Sequence, residues 1–222
     1  MSAGDERFMR IALSLGRRNL GHTGENPSVG CVIVAGEGAR AHVVGRGWTA
    51  PGGRPHAETL ALGRAGALAA GATAYVTLEP CAHHGKTPPC AEALADAGIA
   101  RAVVATGDPD ARVAGRGIEQ LRAAGITVDA CVLADQARRD LAGFLSRIER
   151  GRPEVTLKLA VSADGKIAAA PGKTTAITGA QARSRGHLIR AQSDAILVGR
   201  GTVVADDPSL TCRLPGMEDR SP

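Results

Sequence analysis

The amino-acid sequence predicts an α/β protein: a mixed sheet with helices on both faces, followed by the opening of a second α/β unit. Three observations carry this. Short apolar runs rich in Val, Ala and Ile alternate with segments of helical periodicity as far as Ile148. The first two runs are separated by only Gly36-Glu37-Gly38, which suits an antiparallel hairpin, whereas later runs are separated by helices, which suits parallel neighbours. Gly151-Arg152-Pro153 then interrupts the pattern as a linker, after which a new apolar run begins at Val155.

Taken in order, Phe8, Ile11, Ala12 and Leu15 recur at helical spacing and predict an amphipathic first helix from Asp5 to Gly16. Strands follow at Val29 to Val34 and Ala41 to Trp48. Pro55 precedes a helix from His56 to about Ala70, since proline favours the first turn. A strand from Thr73 to Leu78 leads to Thr87-Pro88-Pro89, which opens a helix from Cys90 to Ala97 ended by Gly98. The pattern continues with a strand at Arg101 to Thr106, a helix at Gly117 to Ala124, a strand at Thr127 to Leu133 and a helix at Asp135 to Ile148. Beyond the linker we expect a strand from Val155, a turn at Asp164-Gly165, a helix at Ala180 to Ala191 and a strand at Ala195 to Gly199. The domains are therefore expected at 1–150 and 154–222.

Composition narrows the function classes. Hydrophobic residues make up 44% of the 222, enough for ordinary cores, but aromatics are 2%, namely Phe8, Trp48, Tyr75 and Phe144. The core must be built from Ala, Val, Leu and Ile, and a polynucleotide enzyme would lack stacking platforms for flanking bases. A net charge of +5 agrees with a phosphorylated small molecule and is too small to argue for nucleic acid. No run approaches membrane-span length, and Asp5, Glu6 and Arg7 stand where a secretory leader needs apolar residues. With five cysteines, this predicts a reducing cytoplasm. Nothing in the pattern excludes a homo-oligomer. His22, His42 and His187 lack partners at ligand spacing and read as solvent-facing; Asp108-Pro109-Asp110 and Asp206-Asp207-Pro208 read as turns.

The informative chemistry is His56-Ala57-Glu58 followed by Pro80-Cys81 and Cys90. One imidazole and two thiols are three zinc ligands, and catalytic zinc sites keep three protein ligands with a fourth position for water. Glu58 is the non-ligating acid that can carry protons. This order of residues is the signature of zinc-dependent base deaminases. Cys90 should lie at a helix N-terminus, which favours its thiolate. One difficulty stands: within a regular helix, positions i and i+2 point about 200° apart, so His56 and Glu58 share a site only across the helix end. Alternatives are another zinc hydrolase acting on a free base or nucleoside, and a non-catalytic zinc-stabilised module.

The interval between the cysteines is more specific. Nucleoside and nucleic-acid deaminases place two residues there, whereas Ala82-His83-His84-Gly85-Lys86-Thr87-Pro88-Pro89 intervenes here. Read from Thr77 to Cys90, the segment resembles the RibD family of bifunctional riboflavin-pathway deaminase/reductases. So do Asn26-Pro27-Ser28-Val29-Gly30-Cys31 upstream, and Lys158 to Ala168 and Asp194 to Thr202 downstream. The resemblance implies a cytidine-deaminase-like three-layer α/β/α domain followed by the N-terminal part of a dihydrofolate-reductase-like domain. It implies deamination of 2,5-diamino-6-(5-phosphoribosylamino)pyrimidin-4(3H)-one to 5-amino-6-(5-phosphoribosylamino)uracil, then NADPH reduction of the ribosyl group to ribityl.

By the same resemblance His56, Cys81 and Cys90 hold Zn²⁺, Glu58 is the proton carrier and Asn26 lies close to the pyrimidine, while His83 and Lys86 are expected to bind the deaminase substrate because they lie inside the cysteine loop beside the metal. Ala160, Ala176, Thr202 and Asp206 fall on NADP positions, Ala176 where the family commonly has Trp. Thr174, Arg190, Leu210 and Arg213 fall on reductase-substrate positions, and the two guanidiniums suit phosphate. Because the sequence stops at Pro222, well short of a full reductase domain, the resemblance leads us to expect no reductase activity from this chain.

Overall fold

A computed structural model describes residues 2–85, 88–170 and 175–222. The helices are α1 (Ala3–Gly16), α2 (Ala57–Ala65), α3 (Cys90–Asp96), α4 (Arg116–Ala123), α5 (Ala134–Asp140), α6 (Ala142–Arg150), α7 (Ala180–Ala191) and α8 (Arg200–Asp206). Five strands, β1 (Gly30–Ala35), β2 (His42–Trp48), β3 (Thr73–Val76), β4 (Arg101–Val104) and β5 (Thr127–Ala130), form one sheet in the order β2-β1-β3-β4-β5. β1 pairs antiparallel with β2 and β3, while β3, β4 and β5 run parallel. The mixed sheet read from connection length is therefore present. The chain falls into two compact units, Met1–Asn19 with Thr23–Glu154, and Leu20–His22 with Val155–Pro222.

In the first unit, alternation along the strands builds the layers, because successive side chains leave a strand on opposite faces. Cys31, Ile33, Ala74, Val76 and Ala102 point to one face and pack with Ala57, Ala61 and Ala65 of α2, Ala91 and Leu94 of α3 and Leu121 of α4. Val32, Val34, Tyr75 and Val103 point to the other and pack with Phe8, Met9 and Ala12 of α1 and Ala137 of α5. Small residues set how closely helix and sheet approach. A Cβ at Gly47 would run into the Ala57 carbonyl, and one at Gly45 into that of Ala61, so the glycines of β2 let α2 lie directly on the sheet. That seating fixes where α2 begins, and hence where His56 and Glu58 stand.

At the far end of the same strands a polar network is buried instead. Asp5, 4% exposed, accepts from the Tyr75 hydroxyl (3.0 Å) and the Arg101 guanidinium (2.7 Å), and completes a capping box with Ser2. The Arg101 hydrogen bond holds the Asp5 carboxyl well below the usual carboxylate range against the opposing pull of burial. Burial and Asp5 in turn push the Tyr75 phenol up to about 12.

Several expectations need correction. The helix expected from His56 to Ala70 ends at Ala65, where Gly66 takes φ 54°, and a 3₁₀ turn completes the span. The helix expected from Asp135 to Ile148 is broken at Leu141 (φ −99°, ψ 10°). The break lets Ala137 join the core on one face of the sheet while Leu141 and Leu145 join the other.

In the second unit, Ala180–Ala191 is helical as expected, and Gly165 donates to Ser162 O (2.9 Å) in the expected turn. The strands expected from Val155 and at Ala195 to Gly199 are absent: among the described residues these segments find no ladder partner, and Arg200–Asp206 turns into a helix.

Candidate metal centre

His56 is the residue before α2, with φ −71° and ψ 160°, so it is the N-cap and not part of the helix. The extended backbone swings its ring off the helical screw, and the angular conflict with Glu58 disappears because only Glu58 obeys helical geometry. Cys81 lies on the segment that leaves β3, and Cys90 is the first residue of α3. The three donor atoms lie within 4.8 Å of one another. His56 Nδ1 is 3.3 Å from Cys90 Sγ and 3.7 Å from Cys81 Sγ. Tetrahedral zinc, with bonds of about 2.3 Å to sulfur and about 2.0 Å to nitrogen, requires about 3.6 Å between such atoms. The donor set therefore fits zinc in spacing as well as in chemistry.

The protons are distributed unequally. The backbone N–H of Cys90, at the start of α3, donates to Cys81 Sγ (3.2 Å). Cys81 is lowered to about 4, first by the hydrogen bond from the Cys90 thiol and then, against the cost of burial, by His56. Cys90 is pushed far up, because ionising it beside the Cys81 sulfur costs that shared hydrogen bond. The helix N-terminus thus points its first N–H at the neighbouring Cys81 sulfur and not at that of Cys90 itself. His56 is raised, chiefly by its hydrogen bond to Cys81. Glu58, 4% exposed, is raised by burial.

A cleft of about 260 Å³ opens over His56, Glu58 and Cys81. Asn26 and His83 line it, as the sequence suggested; Lys86 lies outside the described residues. Asn26 Nδ2 donates to Thr23 O (3.2 Å). His83 Nδ1 is buried and makes no hydrogen bond among the described residues, a condition that costs about 1–3 kcal/mol unless a ligand relieves it. Sequence reasoning missed Arg54, Asp108, Asp110, Arg112 and Arg147, which also line the cleft. Asp108 and Asp110 are indeed a turn, with Asp110 N donating to Asp108 Oδ1 (2.9 Å), yet the turn lines the same cleft as His56 and Cys81. Burial raises Asp108 to about 6.

Comparison with known proteins agrees with this geometry. The family model described as "Cytidine and deoxycytidylate deaminase zinc-binding region" matches residues 2–106, and "RibD C-terminal domain" matches residues 153–222. Riboflavin biosynthesis protein RibD of Aquifex aeolicus is 47% identical over 94% of this chain, and that of Escherichia coli 48% identical over 98%. The chain belongs to the RibD family. It spans about 58% of the length of each of these two relatives. Among solved structures, Acinetobacter baumannii RibD superposes with a TM-score of 0.83 at 47% identity, covering 95% of this chain and 58% of that one. The diaminohydroxyphosphoribosylaminopyrimidine deaminase/5-amino-6-(5-phosphoribosylamino)uracil reductase of Thermotoga maritima superposes with a TM-score of 0.86 at 39% identity, covering 96% and 60%.

Within the RibD C-terminal match, Arg190 donates to Thr211 O (3.0 Å), and Arg213 to the Ser209 hydroxyl (2.7 Å), so Arg190, Leu210 and Arg213 meet around one stretch. His187, expected in solvent, instead holds the same stretch: its Nδ1 accepts from Arg213 N (3.3 Å). Thr202 and Asp206 share α8, while Ala160 and Ala176 lie on non-helical segments. Thr174 lies outside the described residues. No helix among the described residues is long and apolar enough to cross a membrane.

Proposed function

We propose that the first unit is the zinc-dependent deaminase of the riboflavin pathway, converting 2,5-diamino-6-(5-phosphoribosylamino)pyrimidin-4(3H)-one and water to 5-amino-6-(5-phosphoribosylamino)uracil and ammonia. The observation that carries this reading is the convergence of His56 Nδ1 and two cysteine sulfurs at the foot of a cleft that also contains a buried, non-ligating carboxyl. Zinc held by His56, Cys81 and Cys90 supplies Lewis acidity that makes water a nucleophile near neutral pH.

The chain's own residues do the rest. Glu58, its affinity for protons raised by burial, takes a proton from the attacking water and gives it to the ring nitrogen beside the carbon under attack. It then takes the second proton, from the newly added hydroxyl, and passes it to the amino group, which leaves as ammonia as the C–N bond breaks and the ring carbonyl forms. His83 Nδ1, buried and without a hydrogen bond among the described residues, is the group that gains a partner when substrate enters. Asn26 lines the same space, and Lys86 is assigned to the substrate by its place in the sequence between the two cysteines. Arg54, Arg112 and Arg147 line the cleft as cations suited to the phosphoribosyl end.

For the second unit the same kinship supports NADPH contacts at Ala160, Ala176, Thr202 and Asp206, and reductase-substrate contacts at Thr174, Arg190, Leu210 and Arg213. We place the protein in the cytoplasm, since all five cysteines are unbridged and two of them must stay reduced to hold metal.

The test is ammonia release from the diaminopyrimidine phosphate by zinc-loaded protein, with and without chelator. Turnover that requires both zinc and the phosphoribosyl group supports the proposal. Equal turnover of a free base or nucleoside favours a broader hydrolase, and zinc-dependent folding with no turnover of any of these favours a structural module.

A further inference from the structure

Glu79 is a buried acid that the proposed chemistry does not use. It stands two residues before Cys81, is 4% exposed, and gives its whole carboxylate to backbone N–H groups. Oε1 accepts from Gly117 (2.9 Å) and Ile118 (3.2 Å), and Oε2 from Gly115 (3.1 Å) and Asp108 (3.3 Å). Three of these donors belong to the start of α4, where backbone N–H groups have no partners inside the helix and favour an anion. The fourth belongs to the turn that lines the same cleft as His56 and Cys81.

Contact on the other side is equally close. A Cβ at Gly117 would run into the Pro80 carbonyl oxygen, so α4 can rest on the ligand segment only because position 117 lacks a side chain. The segment from Glu79 to Cys81 and the loop from Asp108 to Gly117 are thus held together by one carboxylate and one glycine. That loop carries Asp108 into the cleft together with Arg112, whose guanidinium pairs with Asp110 at 2.6 Å.

We propose that Glu79 is a positioning residue: by accepting four backbone N–H bonds it fixes the wall bearing Asp108 and Arg112 against the metal-bearing segment, pre-shaping the cleft for the polar end of the substrate. The inference rests on the deaminase reading for its kinetic consequence, but its structural core can be measured without turnover. Gln at position 79 keeps the shape while turning N–H donors toward N–H donors. Gly117→Ala attacks the same clamp without changing charge.

In the full-length, zinc-loaded chain, Glu79→Gln and Gly117→Ala should each keep zinc stoichiometry and hold kcat within about threefold, while KM rises about tenfold from lost pre-organisation. Amide exchange at Asp108, Gly115, Gly117 and Ile118 should quicken by at least about tenfold, with β3 amides unchanged. Unchanged exchange at those amides overturns the proposal. So do loosened amides with an unaltered KM, zinc loss in both variants, or unfolding of both variants, which would assign Glu79 to folding alone. If the wild type releases no ammonia, the deaminase reading falls, and the exchange comparison still decides whether the clamp exists.

Discussion

In the first unit, the apolar runs Cys31 to Val34 and Ala102 to Val104 pair with neighbouring strands and leave solvent almost completely; in the second, Val155, Leu157, Leu159 and Val161 recur at every second position yet remain 80, 79, 64 and 50% exposed, with no ladder among the described residues. The first pattern announces a strand buried on both faces, the second a strand with two unlike faces. The difference lies in what each run meets. A strand forms only when its N–H and C=O groups find a neighbour and its apolar face finds a layer. β1 has β2, β3, α1 and α2 around it, whereas the 155–161 run has no paired neighbour among the described residues.

The largest expected effect is on local opening. Amides of β1, β3 and β4 should exchange at least about 10⁴-fold more slowly than those of residues 155–161 and 195–199, since central strands open only with global unfolding. Comparable protection in both regions would break the comparison. The next effect is energetic. Leu94→Ala, at a fully buried position, should cost about 2–5 kcal/mol in denaturant unfolding of the first unit. Leu197→Ser, at a position 98% exposed, should stay within about 0.5 kcal/mol.

Between them lies Asp5→Asn, which breaks the pair with Arg101 and should cost about 2–3 kcal/mol near neutral pH. The pH dependence follows from the sign. Asp5 has its affinity for protons depressed by folding, so its stabilisation is present above about pH 4 and is lost as pH falls below it, where the unfolded chain binds the proton first. The Asn variant should lose that part of the acid sensitivity, as urea titrations at several pH values would show.

How much of this was legible in the sequence depends on the kind of interaction. His56, Glu58, Cys81 and Cys90 could be found because ligand spacing survives in one dimension. The start of α3 could be found because proline sits next to it, whereas α1 begins at Ala3, two residues before the expected Asp5, because Ser2 caps it. The N-cap conformation of His56 was hidden, since Pro55 marks only the neighbourhood of a helix start. The hydrogen bond from the α3 N-terminus to Cys81 was hidden too, because it depends on which sulfur that helix end faces. Asp108 and Asp110 were rightly read as a turn, but a turn's sequence does not say what it faces. Glu79 gave no signal: its partners are backbone groups 29 to 39 residues away, which any sequence can supply.

The central claim is a buried acid that moves protons beside three zinc ligands, and Glu58→Gln tests it most directly. With zinc per chain measured alongside, the variant should bind the metal as the wild type does and release ammonia from the diaminopyrimidine phosphate at least about 10³-fold more slowly, in line with loss of a general acid–base group. A Gln variant that retains zinc and turns over at the wild-type rate would contradict the account.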